Sequence, residues 1–81
     1  MQISDKLFTA WTEARQTGDG ALFPAFCQWR GYKVSRGAYY KVHETGTCNQ
    51  HTYEALNDYY SGGREAYLEH RDAEAVERIT K

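Results

Sequence analysis

The chain has 81 residues, 41% hydrophobic and 15% aromatic, and a formal net charge of −1 at pH 7. That length holds one domain, residues 1–81, with one modest core. A near-neutral charge with aromatics spread throughout excludes an intrinsically disordered chain.

No run approaches the ~20 apolar residues of a membrane span, so no membrane partner is expected. The opening MQISDKLFTAW has no basic segment followed by an apolar stretch, which predicts no secretory signal and a cytoplasmic protein. Cys27 and Cys48 are then expected to be reduced thiols. Seven tyrosines supply much of the apolar content, and each can bury its ring while keeping its hydroxyl wet.

Taken in chain order, Ser4 is an N-cap, Asp5 suits a first turn, and Ile3 with Phe8 has the spacing of a hydrophobic staple. Leu7, Phe8, Trp11 and Ala14 follow on one helical face, and Gln16-Thr-Gly-Asp-Gly20 predicts the break. A short second helix is expected from Ala21 or Pro24 to Arg30, with proline in its first turn. Phe23, Phe26 and Trp29 recur at three-residue intervals along it, and Gly31 closes it.

Ser35 caps a third helix, Arg36 to about Glu44, with Tyr39 and Val42 inward and Gly46 as its stop. Tyr39 to Val42 is the only stretch where a strand competes. Thr47-Cys-Asn-Gln50 fits a capping box for a fourth helix that turns Tyr53, Leu56 and Tyr59 or Tyr60 inward and stops at Ser61-Gly-Gly63. A fifth helix, Arg64 to Thr80, carries Leu68, Ala75, Val76 and Ile79 as its apolar stripe, with Glu74–Arg78 and Glu77–Lys81 as i,i+4 pairs. The expected fold is an all-α bundle of four or five short helices.

Charge is unevenly spread. Residues 27–43 carry Arg30, Lys33, Arg36 and Lys41 and no acid, whereas residues 44–81 carry four bases against eight acids. Unopposed cations interleaved with Trp29, Tyr32, Tyr39 and Tyr40 suit phosphate contacts, and arginine can read guanine bidentately. The competing reading is a solvated basic face that balances the acidic last helix.

Phe26, Cys27 and Gly31-Tyr32, followed by Ser35-Arg-Gly-Ala-Tyr-Tyr-Lys-Val42, resemble the helix-turn-helix of small DNA-binding regulators. The likeness covers about a quarter of the chain. Two residues, Lys33 and Val34, lengthen the turn, and Arg30 stands where that family prefers an apolar side chain. The resemblance implies that the third helix is a recognition helix, with Tyr39 and Val42 inward and Arg36, Gly37, Tyr40, Lys41 and His43 outward. Nucleic acid, duplex DNA above all, is then the expected partner of Arg30, Lys33, Arg36, Tyr40, Lys41 and His43, bound by a monomer or a homodimer.

A rival reading rests on the acids of the last helix. Glu65, Glu69, Asp72 and Glu77, with Glu74 beside them, could form a protein-binding face. In size and composition such a chain resembles phage- or plasmid-encoded inhibitors of host or defence complexes (anti-CRISPR-like), which occupy a host protein's nucleic-acid groove, acidic mimicry of nucleic acid being one route. The alternative is a solvated helix surface.

Cys27, His43, Cys48 and His51 form one formal Cys2His2 metal set, but Cys27 also fits a small buried hydrophobe, and no metal or other cofactor is expected. Ser61-Gly-Gly-Arg64 offers either an anion seat at a helix start or a plain turn. No strained nucleophile turn, phosphate loop or carboxylate pair is present. A chain this short is not expected to enclose a pocket of ~300 Å³ or more, so catalysis is not expected.

Overall fold

The computed structural model describes residues 2–80, with side chains through residue 74. Five helices follow in order: α1 (Asp5–Ala14), α2 (Asp19–Arg30), α3 (Arg36–Thr45), α4 (Gln50–Asp58) and α5 (Arg64–Thr80), with a π-helical junction, Tyr59–Gly63, between the last two. The all-α bundle expected from the sequence is the fold observed. Among the described residues, β pairing is limited to one isolated bridge, Gln2 to Thr47, and Tyr39–Val42 is helical.

The caps explain most boundaries. Ser4 accepts from Leu7 N–H at 3.3 Å and Ser35 from Ala38 N–H at 3.2 Å, each supplying one orphan N–H of a first turn. Gly31 and Gly46 close α2 and α3 at φ 95° and 72°, a left-handed geometry that glycine adopts without strain. The fourth helix departs from expectation. Its cap is Asn49, which accepts from Thr52 N–H at 2.8 Å, while Thr47 bonds Thr45 Oγ1 at 3.0 Å. An Asx side chain next to the first turn outcompetes the hydroxyl two residues earlier.

The second helix also starts earlier than Ala21. Gly18 takes φ 92°, and Asp19 folds its carboxylate back to the Gln16 N–H at 2.9 Å. The turn is thereby finished within Gln16–Gly18, and Gly20 becomes helical. Pro24 consequently sits inside α2, in its second turn, where it forgoes one helical hydrogen bond.

Buried aromatic rings form the centre. Phe23, Phe26, Tyr39 and Tyr59 are fully enclosed, with Phe23 and Phe26 each 5.2 Å from the Tyr59 centroid and Phe23 5.3 Å from Tyr39. Ile3, Trp11, Cys27, Val34, Val42, Ala55 and Leu56 complete the core. Two expected inward positions lie elsewhere: Ala14 is exposed, and Trp29 is 36% exposed at the rim, stacked with His70 at 5.1 Å. Spacing of three drifts round a 3.6-residue helix, so Trp29 has left the stripe that Phe23 and Phe26 define.

The Ser61-Gly-Gly63 stop is a kink rather than a break. Gly62 has φ 105°, and a Cβ on Gly63 would lie 2.8 Å from the Phe26 ring, so this backbone packs directly on the core. Arg64 does not face outward for an anion. Its Nε donates to Asp19 Oδ1 at 3.0 Å, and Tyr59 Oη donates to the same oxygen at 2.7 Å. Ala75, Val76, Ile79 and the pairs Glu74–Arg78 and Glu77–Lys81 lie outside the described side chains.

Asp19→Ala is expected to cost about 3–5 kcal/mol, because it strands the Arg64 guanidinium beside a buried core. Urea unfolding checks this, and a loss below about 1 kcal/mol would contradict the role assigned to Asp19.

Candidate nucleic-acid interface

Arg36, Gly37, Tyr40 and Lys41 are exposed on α3, as helical spacing requires once Tyr39 and Val42 are buried. Arg36 Nη2 donates to Tyr40 Oη at 3.3 Å, and its guanidinium lies 5.6 Å from the Tyr40 ring centroid. Lys41 lines an open groove of about 470 Å³ with Ala38, Val42 and the α3–α4 turn. Lys33 lies on the connector, its backbone N–H donating to His51 Nε2 at 3.0 Å. Glu44, one turn beyond Tyr40, adds an acid to the end of this exposed face.

Two expected members depart from the group. Arg30 turns to α4, where Nε stands 3.2 Å from Asp58 Oδ2 and the guanidinium lies 4.8 Å from the Trp29 centroid. Asp58 also accepts from Tyr32 Oη at 3.1 Å. The lack of acids within residues 27–43 therefore did not leave Arg30 unopposed.

His43 is half-buried rather than outward. Its Nε2 shares a hydrogen bond with Tyr60 Oη at 3.0 Å, and its ring sits 4.7 Å from that of Tyr39. One turn beyond the buried Tyr39, it lies on the flank of α3 that meets α1 and the junction, where Phe8 and Tyr60 close over it.

Arg15 takes the vacated place, and no sequence signal singled it out. It stands just past the end of α1, with its guanidinium 5.4 Å from the Tyr39 centroid and 5.9 Å from that of Tyr40. Among the described residues, Arg15, Lys33, Arg36 and Lys41 have no carboxylate within 4.0 Å.

The formal metal set is not assembled. Among the described residues no three His, Cys, Asp or Glu side chains gather as ligands. Cys27 is buried in the core, and burial, reinforced by the Asp58 charge, pushes its thiol up to about 12. Burial also raises the Cys48 thiol. Both stay protonated near neutrality, which suits neither a metal ligand nor a nucleophile.

Clefts of 470–490 Å³ do exist, larger than expected, but they are grooves open to solvent. Among the described residues no helix is long and apolar enough to cross a membrane.

Burial first, and then the Arg15 charge, lower the His43 pKa from 6.5, partly offset by Asp19. Its Nδ1 is buried without a hydrogen-bond partner. The unfolded chain therefore binds more protons than the folded one between the lowered value and 6.5. His43 stabilises the fold fully above that window, and the contribution is lost as pH falls through it. Denaturant unfolding from about pH 5 to 8 is expected to show stability rising with pH up to about 6.5 and that component missing in His43→Gln. Parallel curves for the two proteins would refute the assignment.

Comparison of the chain with protein-family models, with curated proteins and with solved structures finds no match in any of the three.

Proposed function

We propose that this chain is a small nucleic-acid-binding regulator that grips the phosphate backbone with Arg15, Arg36 and Lys41, and Lys33 beside them. One observation carries the reading: Arg15, Lys33, Arg36 and Lys41 are exposed and, among the described residues, have no carboxylate within 4.0 Å, and three of them lie on or against α3. Such cations gain most from an external polyanion, since contact releases its condensed counterions and breaks no internal ion pair. Tyr40, 41% exposed between Arg15 and Arg36, can donate or accept a hydrogen bond there.

The reading rests on charge and exposure rather than on a motif. Five residues, 31–35, join α2 to α3, more than the three or four typical of a helix-turn-helix. Backbone contact therefore has more support here than base reading, and duplex DNA is the first ligand to test.

A second reading has its own observation. Every residue from Glu69 to Glu74 is exposed, so α5 presents bare turns in which Glu65, Glu69 and Asp72 share one face by helical spacing. That face suits an inhibitor that binds a host or defence protein by imitating nucleic acid. Glu77 falls outside the described side chains. This reading predicts a stable protein complex that is lost on reversing Glu69 and Asp72.

Four phosphate contacts predict a slope near −3.6 in log affinity against log salt, about 150-fold between 50 and 200 mM. Duplex binding measured by fluorescence anisotropy at the two salts checks it. Arg36→Glu with Lys41→Glu is expected to abolish binding and leave the helical circular dichroism unchanged. Binding that survives the double reversal, or that ignores salt, rules out the α3 surface.

A further inference from the structure

The α1–α2 turn and the first turns of α3 enclose an open cleft of about 490 Å³, whose lining includes Thr12, Arg15, Thr17, Gly20, Arg36 and Tyr40. Its complete lining holds two arginines and no acid. The two guanidiniums come from separate elements and converge on one phenol, 5.9 and 5.6 Å from the Tyr40 centroid. Two cations brought together without a carboxylate repel one another, a cost that the fold bears at the surface and that a bound anion would reverse.

The phenol is held by a local device. Gly20 is buried, and a Cβ there would collide with the Tyr40 hydroxyl and lie 2.6 Å from its Cζ. A glycine in the first turn of α2 thus lets the Tyr40 phenol close onto the start of that helix. Asp19, the acid adjacent in sequence, points away. Both its oxygens are engaged, by Tyr59, Arg64 and the Gln16 N–H, and its charge is compensated by Arg64.

We propose that this cleft is a seat for a single phosphate group, held between the Arg15 and Arg36 guanidiniums with the Tyr40 hydroxyl as a further donor. A phosphate presents oxygens in several directions and can engage forks on two walls at once, whereas a planar carboxylate is satisfied by one. Thr17 adds a hydroxyl at the rim, whereas that of Thr12 is donated to the Phe8 carbonyl at 2.9 Å, and Gly18 starts α2 without a side-chain cap. The inference extends the nucleic-acid reading at Arg15 and Arg36, but the seat itself requires only an anion. The phosphate could belong to a nucleic-acid strand, at its end or within it, or to a small phosphorylated molecule.

The test is a titration of the intact chain with inorganic phosphate at constant ionic strength, followed by amide chemical shifts. Saturable shifts are expected at residues 17–21 and at Tyr40. Arg15→Gln and Arg36→Gln are each expected to weaken binding at least about tenfold, while Lys6→Gln, at an exposed position on α1 outside the cleft, leaves it unchanged. Both substitutions are at exposed positions, and far-UV circular dichroism verifies that the helices persist.

Competition with a 5′-phosphorylated oligonucleotide and its 5′-hydroxyl counterpart then separates the sources. Tighter binding of the phosphorylated strand, displaced by inorganic phosphate, identifies a strand end. Equal binding displaced by phosphate identifies an internal backbone phosphate. Phosphate binding with neither strand bound keeps the seat and removes the nucleic-acid reading. Absence of localised, saturable shifts, or shifts indifferent to both arginine substitutions, overturns the seat even if DNA still binds through Lys41.

Discussion

A single buried carboxylate organises this small domain. Asp19 is 1% exposed and sits where three parts of the chain meet: the α1–α2 turn through Gln16, the junction through Tyr59, and α5 through Arg64. Burying an ionised group is costly unless it is paired and its lone pairs are used, and here each contact answers that cost. The arrangement also fixes geometry. Asp19 ends the turn after α1, sets the first residue of α2, and positions Gly20 beneath Tyr40. It holds Tyr59 edge-on to Phe23 and Phe26, so the polar network and the aromatic core constrain the same rings.

From this anchor the placement of the cationic surface follows. With Tyr39 and Val42 committed to the core, helical geometry leaves Arg36, Tyr40 and Lys41 outside. The short turn held by Asp19 brings Arg15 back across the face of Tyr40. Two other arginines are neutralised within the fold. Arg30 is given to Asp58 and Arg64 to Asp19. Among the described residues, Arg15, Arg36, Lys33 and Lys41 have no carboxylate partner within 4.0 Å.

The tyrosines divide in the same way. Burial raises the pKa of Tyr59, whose hydrogen bond to Asp19 adds to the effect, and of Tyr60, helped by its bond to Tyr39. Both remain neutral hydrogen-bonding groups at physiological pH. Their hydroxyls, with His43, give the interior polar points that require specific partners, which favours one packing over others of similar hydrophobic area. Tyr40 has the same side chain, but it is 41% exposed, and its hydroxyl accepts from Arg36 beside the bare backbone of Gly20.

The sequence by itself determined the helices, their order and most of their ends. Ser4, Ser35, Gly31 and Gly46 act on neighbours within a few residues, and such local chemistry can be read along the chain. The inward placement of Phe23, Phe26, Tyr39, Val42 and Leu56 was legible for the same reason, since periodicity encodes a face. The tertiary structure alone decided the Asp19 network, whose partners Tyr59 and Arg64 lie 40 and 45 positions away. It also decided the pairing of Arg30 with Asp58, the inward turn of His43 and the arrival of Arg15 beside Arg36. A sequence records which charges exist, but whether a charge is satisfied depends on distance in space, and that distance is set only when the helices pack.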